Sequence, residues 1–226
     1  MKRPILIIEN YPGRSDCIVR LLSQFRVPFE LTTSDGRALT IPPRVAGIIL
    51  SGGPQSVTKI DSDEGIRLRP LLNILSLAEQ RRLPVLGICL GHQLLGTWAG
   101  GEVAKLPAKV AGFEEISLLK QSAIFEKYAD EKLIGFQFHE DHLRSLPKNC
   151  EVLASSKSCD IEAFVVRDRQ MWGVQFHPEV TFADGTAIFD SEPLPLRPWV
   201  PGSDVNAPYI IKSFAELCRR NDGTSF

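Results

Sequence analysis

The feature that most constrains the fold is a set of short runs that are apolar at consecutive positions. Three of them are "PILIIE" (4–9), "VAGIIL" (45–50) and "PVLGIC" (84–89). A β-strand is apolar at every position when both of its faces are buried, which is typical of a parallel sheet covered by helices. Amphipathic helical stripes separate these runs, and the first stripe is formed by Cys17, Ile18, Leu21, Leu22 and Phe25.

The remainder of the chain completes this pattern. Between about 110 and 176 it is rich in strands, and a last helical pattern follows at 209–220. We therefore predict an α/β fold with an open, mainly parallel central sheet, helices on both faces and an antiparallel, strand-rich edge. A length of 226 residues and a hydrophobic content of 43% predict a single domain over residues 1–226.

One segment, at about 183–208, differs in composition from the rest. It contains five prolines, which predicts an irregular excursion over the surface. It is either a long solvated loop or a docking surface built around Trp199, since aromatic residues are enriched at interfaces.

Charge and cysteine content exclude several classes of protein. A formal net charge of −1 and a pI near 6.4 provide no basic field that could hold nucleic acid. The apolar run at the N-terminus spans about four residues, too few for a signal peptide or a membrane span. The five cysteines are scattered and lack C-x-x-C spacing, which argues against a disulfide framework and a zinc site. We expect small molecules and proteins as partners, no contact with membrane or nucleic acid, and a cytoplasmic location.

The chemical centre is the stretch "LGICLGHQLLG" (86–96), in which a G-x-C-x-G pattern joins an apolar strand to a helix. A nucleophile between two glycines at such a junction is typical of a nucleophile elbow, a sharp turn that leaves the side chain exposed. The thiol of Cys89 would lie at a helix N-terminus, where backbone N–H groups favour the thiolate. The alternative, a small buried residue at a strand end, does not explain the two glycines. No G-x-S-x-G pattern supplies a rival serine.

A thiolate that attacks a carbonyl group needs hydrogen-bond donors for the oxyanion that forms. The backbone N–H of Leu90, the residue after the nucleophile, is one donor by elbow geometry. The segment "ILSGGPQSV" places Gly52 and Gly53 after a strand, in a turn whose backbone can approach a ligand closely. We predict Gly53 as the second donor, although Gly-Gly-Pro after a strand is also common in ordinary turns.

Two segments, "GFQFHEDH" and "GVQFHPEV", each offer a histidine with a carboxylate two residues later. In an extended chain residues i and i+2 share a face, so His177 pairs with Glu179, and His139 pairs equally well with Asp141. Pro178 favours His177 slightly, because it holds the preceding residue in an extended conformation. Periodicity alone does not decide between the two histidines.

The sequence indicates no metal and no cofactor. A metal site at His139, Glu140 and His142 is a poor alternative, because alternate residues on a strand do not converge and no further ligands are evident. The lysine of a phosphate-binding loop is also missing after the Gly-Gly-Pro turn.

The motifs "GICLGHQ", "LSGGP" and "GVQFHPE" together resemble the class I glutamine amidotransferases, over most of residues 3–182. Within that family, "GIILSGGPQSV" and "GVQFHPEVT" are most similar to the glutaminase part of GMP synthetase. The resemblance implies a flavodoxin-like sheet with Cys89 as nucleophile, His177 as general base and acid, and Glu179 orienting the imidazole. The oxyanion-hole positions that it implies are Gly53 and Leu90, and the substrate positions are Gly52, Gln93, His139, Glu140 and Asp141.

The implied activity is hydrolysis of the glutamine side-chain amide through a γ-glutamyl thioester on Cys89. Glu140 stands where relatives carry a small residue, and this departure bears on glutamine affinity or specificity. Nothing after residue 182 resembles an ATP-pyrophosphatase domain, which predicts that a separate synthetase subunit carries the acceptor of the ammonia. The alternative is a free-standing hydrolase of γ-glutamyl amides or peptides. A catalytically silent binding module is the third hypothesis, least favoured because the triad residues are intact.

Overall fold

The computed structural model describes residues 2–62, 65–128, 132–191 and 205–221. Within these ranges the strands are β1 (Ile5–Glu9), β2 (Phe29–Thr33), β3 (Gly47–Leu50), β4 (Val85–Ile88), β5 (Glu102–Leu118), β6 (Leu133–Ser145), β7 (Cys150–Ser155), β8 (Ala163–Val166) and β9 (Met171–Val174). The α-helices are α1 (Asp16–Gln24), α2 (Arg69–Gln80), α3 (Leu90–Ala99), α4 (Phe182–Ser191) and α5 (Tyr209–Asn221). Short 3-10 helices occupy Val57–Lys59, Ile66–Leu68 and Ala123–Tyr128.

The strands form one sheet in the order β2-β1-β3-β4-β9-β8-β7-β5-β6. Neighbours from β2 to β9 are parallel, whereas the pairs from β9 to β6 are antiparallel. The predicted α/β fold, with a mainly parallel centre and an antiparallel edge, is confirmed. The carboxyl ends of β1, β3, β4 and β9 meet at one edge of the parallel part, where folds of this type bind their ligands.

The parallel strands are buried on both faces, as their apolar sequences predict. Every residue of β1, β3 and β4 is buried. Ile7 and Ile49 belong to a core that α1 and α5 cover, whereas Ile8 and Ile48 belong to a core that α2 and α3 cover. This alternation follows from the two-residue period of a strand, and each fully buried isoleucine contributes roughly 1.5–3 kcal/mol of transfer free energy. The two cores fix β4, and with it the residue that follows.

The antiparallel part of the sheet curls back toward its parallel part. Its longest strands are β5 and β6, of 17 and 13 residues, which pair with each other. The outer edge of β6 then meets the segment after β9, where Phe136 and His177 form an isolated antiparallel bridge. The backbone N–H of His177 donates to the Phe136 carbonyl oxygen over 2.7 Å. Strand β6, the last in the order of the sheet, thus lies beside the segment that follows β9.

The prediction of an irregular excursion over about 183–208 is wrong at its start, because helix α4 occupies Phe182–Ser191. The carboxylate of Asp184 accepts hydrogen bonds from the backbone N–H and the hydroxyl group of Thr181, which closes the first turn. Arg20 of α1 binds the same carboxylate through two nitrogens, at 2.9 and 2.5 Å. These contacts fix the start of α4 against α1.

Two other expectations, on the start of the strand-rich part and on the surface around Trp199, have different outcomes. The strand-rich part begins at Glu102, earlier than the predicted boundary near 110. The predicted docking surface around Trp199 falls on residues 192–204, which lie outside the described residues, so it stays a prediction. Among the helices that are described, none combines the length and the apolar character needed to cross a membrane.

Candidate active site

Cys89 stands on a sharp turn between β4 and α3. Its backbone φ of 51° and ψ of −102° form a left-handed conformation that strains any residue with a side chain. A Cβ added at Gly87 would lie 2.4 Å from the Gly91 carbonyl oxygen, and one added at Gly91 would lie 2.4 Å from the Leu50 carbonyl oxygen. The backbones pass too close for side chains, which explains both glycines. The turn has the form of a nucleophile elbow and fixes the thiol at the carboxyl edge of the parallel strands.

The His177 ring lies between the Cys89 and Glu179 side chains. Its Nδ1 is 2.8 Å from Glu179 Oε1, and the ring lies close enough to the Cys89 side chain for the two groups to interact electrostatically. Burial alone would lower the pKa of His177, but the Glu179 carboxylate and then Cys89 outweigh it and raise the pKa well above 6.5. Glu179 is only 3% exposed, so water screens its charge little. The buried carboxylate therefore favours the protonated form of the ring.

The loop after β3 brings two glycines against the nucleophile. A Cβ on Gly52 would lie 2.9 Å from His177 Cε1 and 3.6 Å from Cys89 Cβ. A Cβ on Gly53 would lie 2.8 Å from Leu90 Cδ2. Leu90 opens helix α3, and the first four N–H groups of a helix have no partner inside it. The two predicted oxyanion donors, Gly53 and Leu90, are therefore neighbours beside Cys89.

Asn10, a residue that sequence reasoning did not select, anchors this loop. Its Nδ2 donates to the Ser51 carbonyl oxygen over 2.6 Å, and its backbone N–H donates to Ser51 Oγ over 3.0 Å. Gln55 Nε2 in turn donates to the Asn10 carbonyl oxygen over 2.9 Å. Asn10 and Ser51 are both buried, so these hydrogen bonds hold the glycine backbone in place without competition from water.

The second histidine has a different environment. His139 is buried on β6, and burial lowers its pKa to about 4, so the ring is neutral at neutral pH. Its Nδ1 lies 3.0 Å from the Asp141 carbonyl oxygen, which only accepts, so Nδ1 carries the ring proton. His139 thus braces the backbone of its own strand, whereas His177 is the ring beside the thiol.

The other predicted substrate positions divide into two groups. Gln93 Nε2 donates to the Asp141 carbonyl oxygen over 2.8 Å, and the Ser56 hydroxyl donates to the Asp141 carboxylate. Gln93 and Asp141 are both buried. The Glu140 side chain, about half exposed, instead pairs with Lys105 at 3.1 Å. The alternation of β6 therefore directs the Glu140 side chain away from Gln93 and toward solvent.

Gln175 is a further residue of the site that sequence reasoning missed. It is fully buried, and its Nε2 lies 3.7 Å from Cys89 Sγ. Its Oε1 accepts a hydrogen bond from Gln93 Nε2 at 3.2 Å. The clue was present in the sequence, because Gln175 precedes His177 by two positions and shares its face in an extended chain.

A buried carboxyl group lies behind the segment that carries His177. Glu162 Oε1 accepts hydrogen bonds from Gln137 Nε2 at 2.5 Å and from Ser156 Oγ at 2.7 Å. The Glu162 carbonyl oxygen also accepts the backbone N–H of Gln175. Burial raises the pKa of Glu162 to about 8, so the side chain is mostly protonated at neutral pH.

The remaining cysteines lack the setting of Cys89. All five cysteines are free thiols. Cys17 on α1 is partly exposed, and burial followed by the charge of Asp184 raises its pKa to about 11. Burial also raises the pKa of Cys150 and of Cys159. In the part of the chain that the structure describes, no group of three or more His, Cys, Asp and Glu residues could hold a metal ion.

The chain resembles known proteins in sequence and in fold. The family model described as "Glutamine amidotransferase class-I" matches residues 6–192. A glutamine-hydrolyzing GMP synthase subunit of Methanosphaera stadtmanae is 35% identical over 191 residues, which are 83% of this chain and 95% of that protein. The protein of the same name from Methanococcus aeolicus is 30% identical over 216 residues, 95% of this chain and 97% of that protein. The crystal structure of a glutamine amido transferase from Methylobacillus flagellatus has a TM-score of 0.74 at 23% identity, covering 100% of this chain and 96% of its own, which shows a shared fold.

Proposed function

The chain belongs to the class I glutamine amidotransferase family, and on that premise we propose that it hydrolyses the side-chain amide of glutamine to glutamate and ammonia. The observation that carries this proposal is the position of the His177 ring, beside Cys89 and with Nδ1 2.8 Å from Glu179 Oε1. A thiolate beside an imidazolium is the reactive form of a cysteine nucleophile. The strained elbow supports the same chemistry, and so does the place of Leu90 at the start of α3, where helix N–H groups have no intrahelical partner.

In the first half of the reaction, the Cys89 thiolate attacks the carbon of the glutamine carboxamide. The electron pair of the C=O bond moves to oxygen, and the N–H groups of Gly53 and Leu90 would hold that oxyanion. The His177 imidazolium gives its proton to the amide nitrogen as the C–N bond breaks. Ammonia leaves, and a γ-glutamyl thioester on Cys89 remains.

In the second half, the same ring acts as a base. Neutral His177 takes a proton from water, and the resulting hydroxide attacks the thioester carbon. The C–S bond breaks, glutamate is released, and the thiolate and imidazolium are restored. Glu179 binds Nδ1 throughout, so the other ring nitrogen faces the reacting atoms in both halves.

We infer that the ammonia passes to an acceptor on a separate synthetase subunit. The relatives that this chain matches over nearly their full length are named as one subunit of a glutamine-hydrolyzing GMP synthase. This supports a GMP synthase-like acceptor and a role in purine biosynthesis. The five free thiols accord with a reducing cytoplasm, where we place the reaction.

Ammonia release from glutamine by the purified chain tests the proposal. Cys89→Ala should abolish release with the fold intact, whereas Cys150→Ala, a matched control away from the elbow, should retain it. An electrophilic glutamine analogue should label Cys89 alone among the five cysteines. Labelling at Cys150 or Cys159 would contradict the assignment. Brisk cleavage of a γ-glutamyl dipeptide, with no turnover of glutamine even with a synthetase added, would favour the free-standing hydrolase.

A further inference from the structure

We propose that Gln175 is a further catalytic residue, whose carboxamide N–H donates to the Cys89 sulfur and stabilises its thiolate. The 3.7 Å between Nε2 and Sγ suits a hydrogen bond to sulfur, an atom larger than oxygen. Gln175 is fully buried, so water does not compete for the donor. The consequence for turnover rests on the proposed function, whereas the contact itself can be tested on the thiol alone.

The neighbours of Gln175 dictate the orientation of its amide. The Asp141 carbonyl oxygen only accepts, so the Gln93 atom 2.8 Å from it must be the nitrogen. The same nitrogen has a second N–H, which reaches Gln175 at 3.2 Å, so the atom that it meets must be the oxygen. The nitrogen of Gln175 is then the end that faces Cys89. The series of donors therefore starts at Gln93 and ends at the nucleophile.

A donor in this position favours the ionised form of Cys89. A hydrogen bond to a thiolate is charge-assisted, whereas one to a neutral thiol is weak, so the contact stabilises the thiolate selectively. The Gln175 donor also differs from the imidazolium in one respect, because it does not lose its proton during the reaction. When the thioester breaks and sulfur regains its negative charge, the Gln175 N–H is still in place beside it.

The rate of alkylation of Cys89 by iodoacetamide, followed across pH and located by peptide mass spectrometry, tests the proposal. Gln175→Met removes the donor and keeps an unbranched side chain of similar length. One charge-assisted hydrogen bond shifts a titration by about one pH unit, so the midpoint should rise by that amount. Gln93→Met, which removes the group that orients Gln175, should shift the midpoint in the same direction but less.

Gln170→Met is the matched control, because Gln170 is exposed on the surface and the chemical change is the same. Its alkylation profile should equal that of the unchanged protein. An unchanged midpoint in folded Gln175→Met would overturn the proposal. If that variant does not fold, Gln175→Asn decides instead, because its shorter side chain keeps the amide but draws the nitrogen back from Cys89, so the midpoint should again rise, and an unchanged midpoint refutes the contact. Alkylation needs no glutamine, so a failure of the proposed glutaminase activity would be recognised separately.

Discussion

The buried carboxyl of Glu162 makes the stability of the fold depend on pH. Its pKa rises from 4.5 in the unfolded chain to about 8 in the folded protein, because burial disfavours the charged form. Below about pH 4.5 the group is protonated in both states and has no effect on the balance. As the pH rises above 4.5, the unfolded chain releases the proton and the folded protein keeps it. The free energy of unfolding therefore falls progressively until the pH passes the folded pKa. At about 1.4 kcal/mol per pH unit the whole loss is on the order of 5 kcal/mol, of which about 3 kcal/mol falls between pH 6 and 9.

Glu162→Gln keeps the shape of the side chain and removes its titration. The free energy of unfolding of the unchanged protein, minus that of the variant, should therefore fall by about 3 kcal/mol from pH 6 to pH 9. Urea unfolding followed by circular dichroism at each pH measures both values. Glu30→Gln, at an exposed position on β2, serves as the control and should leave the difference flat. A flat difference for Glu162→Gln as well would show that the buried carboxyl does not titrate as argued.

Three further predictions concern the site and its partner. His177→Ala should lower kcat by several orders of magnitude, since a triad acts as a unit, whereas His139→Ala should mainly raise KM; equal losses of kcat would contradict the assignment of the base. Gly91→Ala should lower stability by about 1–3 kcal/mol in urea unfolding and reduce activity, because its Cβ would meet the Leu50 backbone; full activity would argue against the close packing. Trp199→Ala should weaken binding of the synthetase partner by about 2 kcal/mol in titrations, and so weaken activation by it, with unchanged basal hydrolysis; a loss of basal hydrolysis would refute the docking role.

The sequence predicted those features whose causes are local. Consecutive apolar residues in β1, β3 and β4 indicated burial on both faces, and the structure confirms a parallel centre. Glycines two residues before and after Cys89 indicated a sharp turn, and the backbone there is left-handed. In both cases the physical requirement acts on residues that are close in the chain, so a pattern in the sequence records it.

The features that escaped prediction depend on residues distant in sequence. His139 and His177 are equivalent by periodicity, and only the tertiary structure places one ring on a carbonyl oxygen and the other beside a thiol. Gln175 gained its position from Gln93, which lies on another element. Helix α4 was missed for a different reason, because it ends before Pro193, the first proline of 183–208, so the proline content of that segment does not bear on the helix.

The bridge between Phe136 and His177 has a consequence for the order of events as the chain folds. Three of the parallel strands around the elbow at Cys89, namely β1, β3 and β4, leave the ribosome well before β9. The histidine must wait for β6 and for its own segment after β9, since the strand edge that fixes its backbone is 41 residues away. Such long-range pairing is the slow part of folding. A nascent chain would therefore expose its sulfur to alkylating agents before it could turn over an amide, and the interval between the two could be timed by pulse labelling.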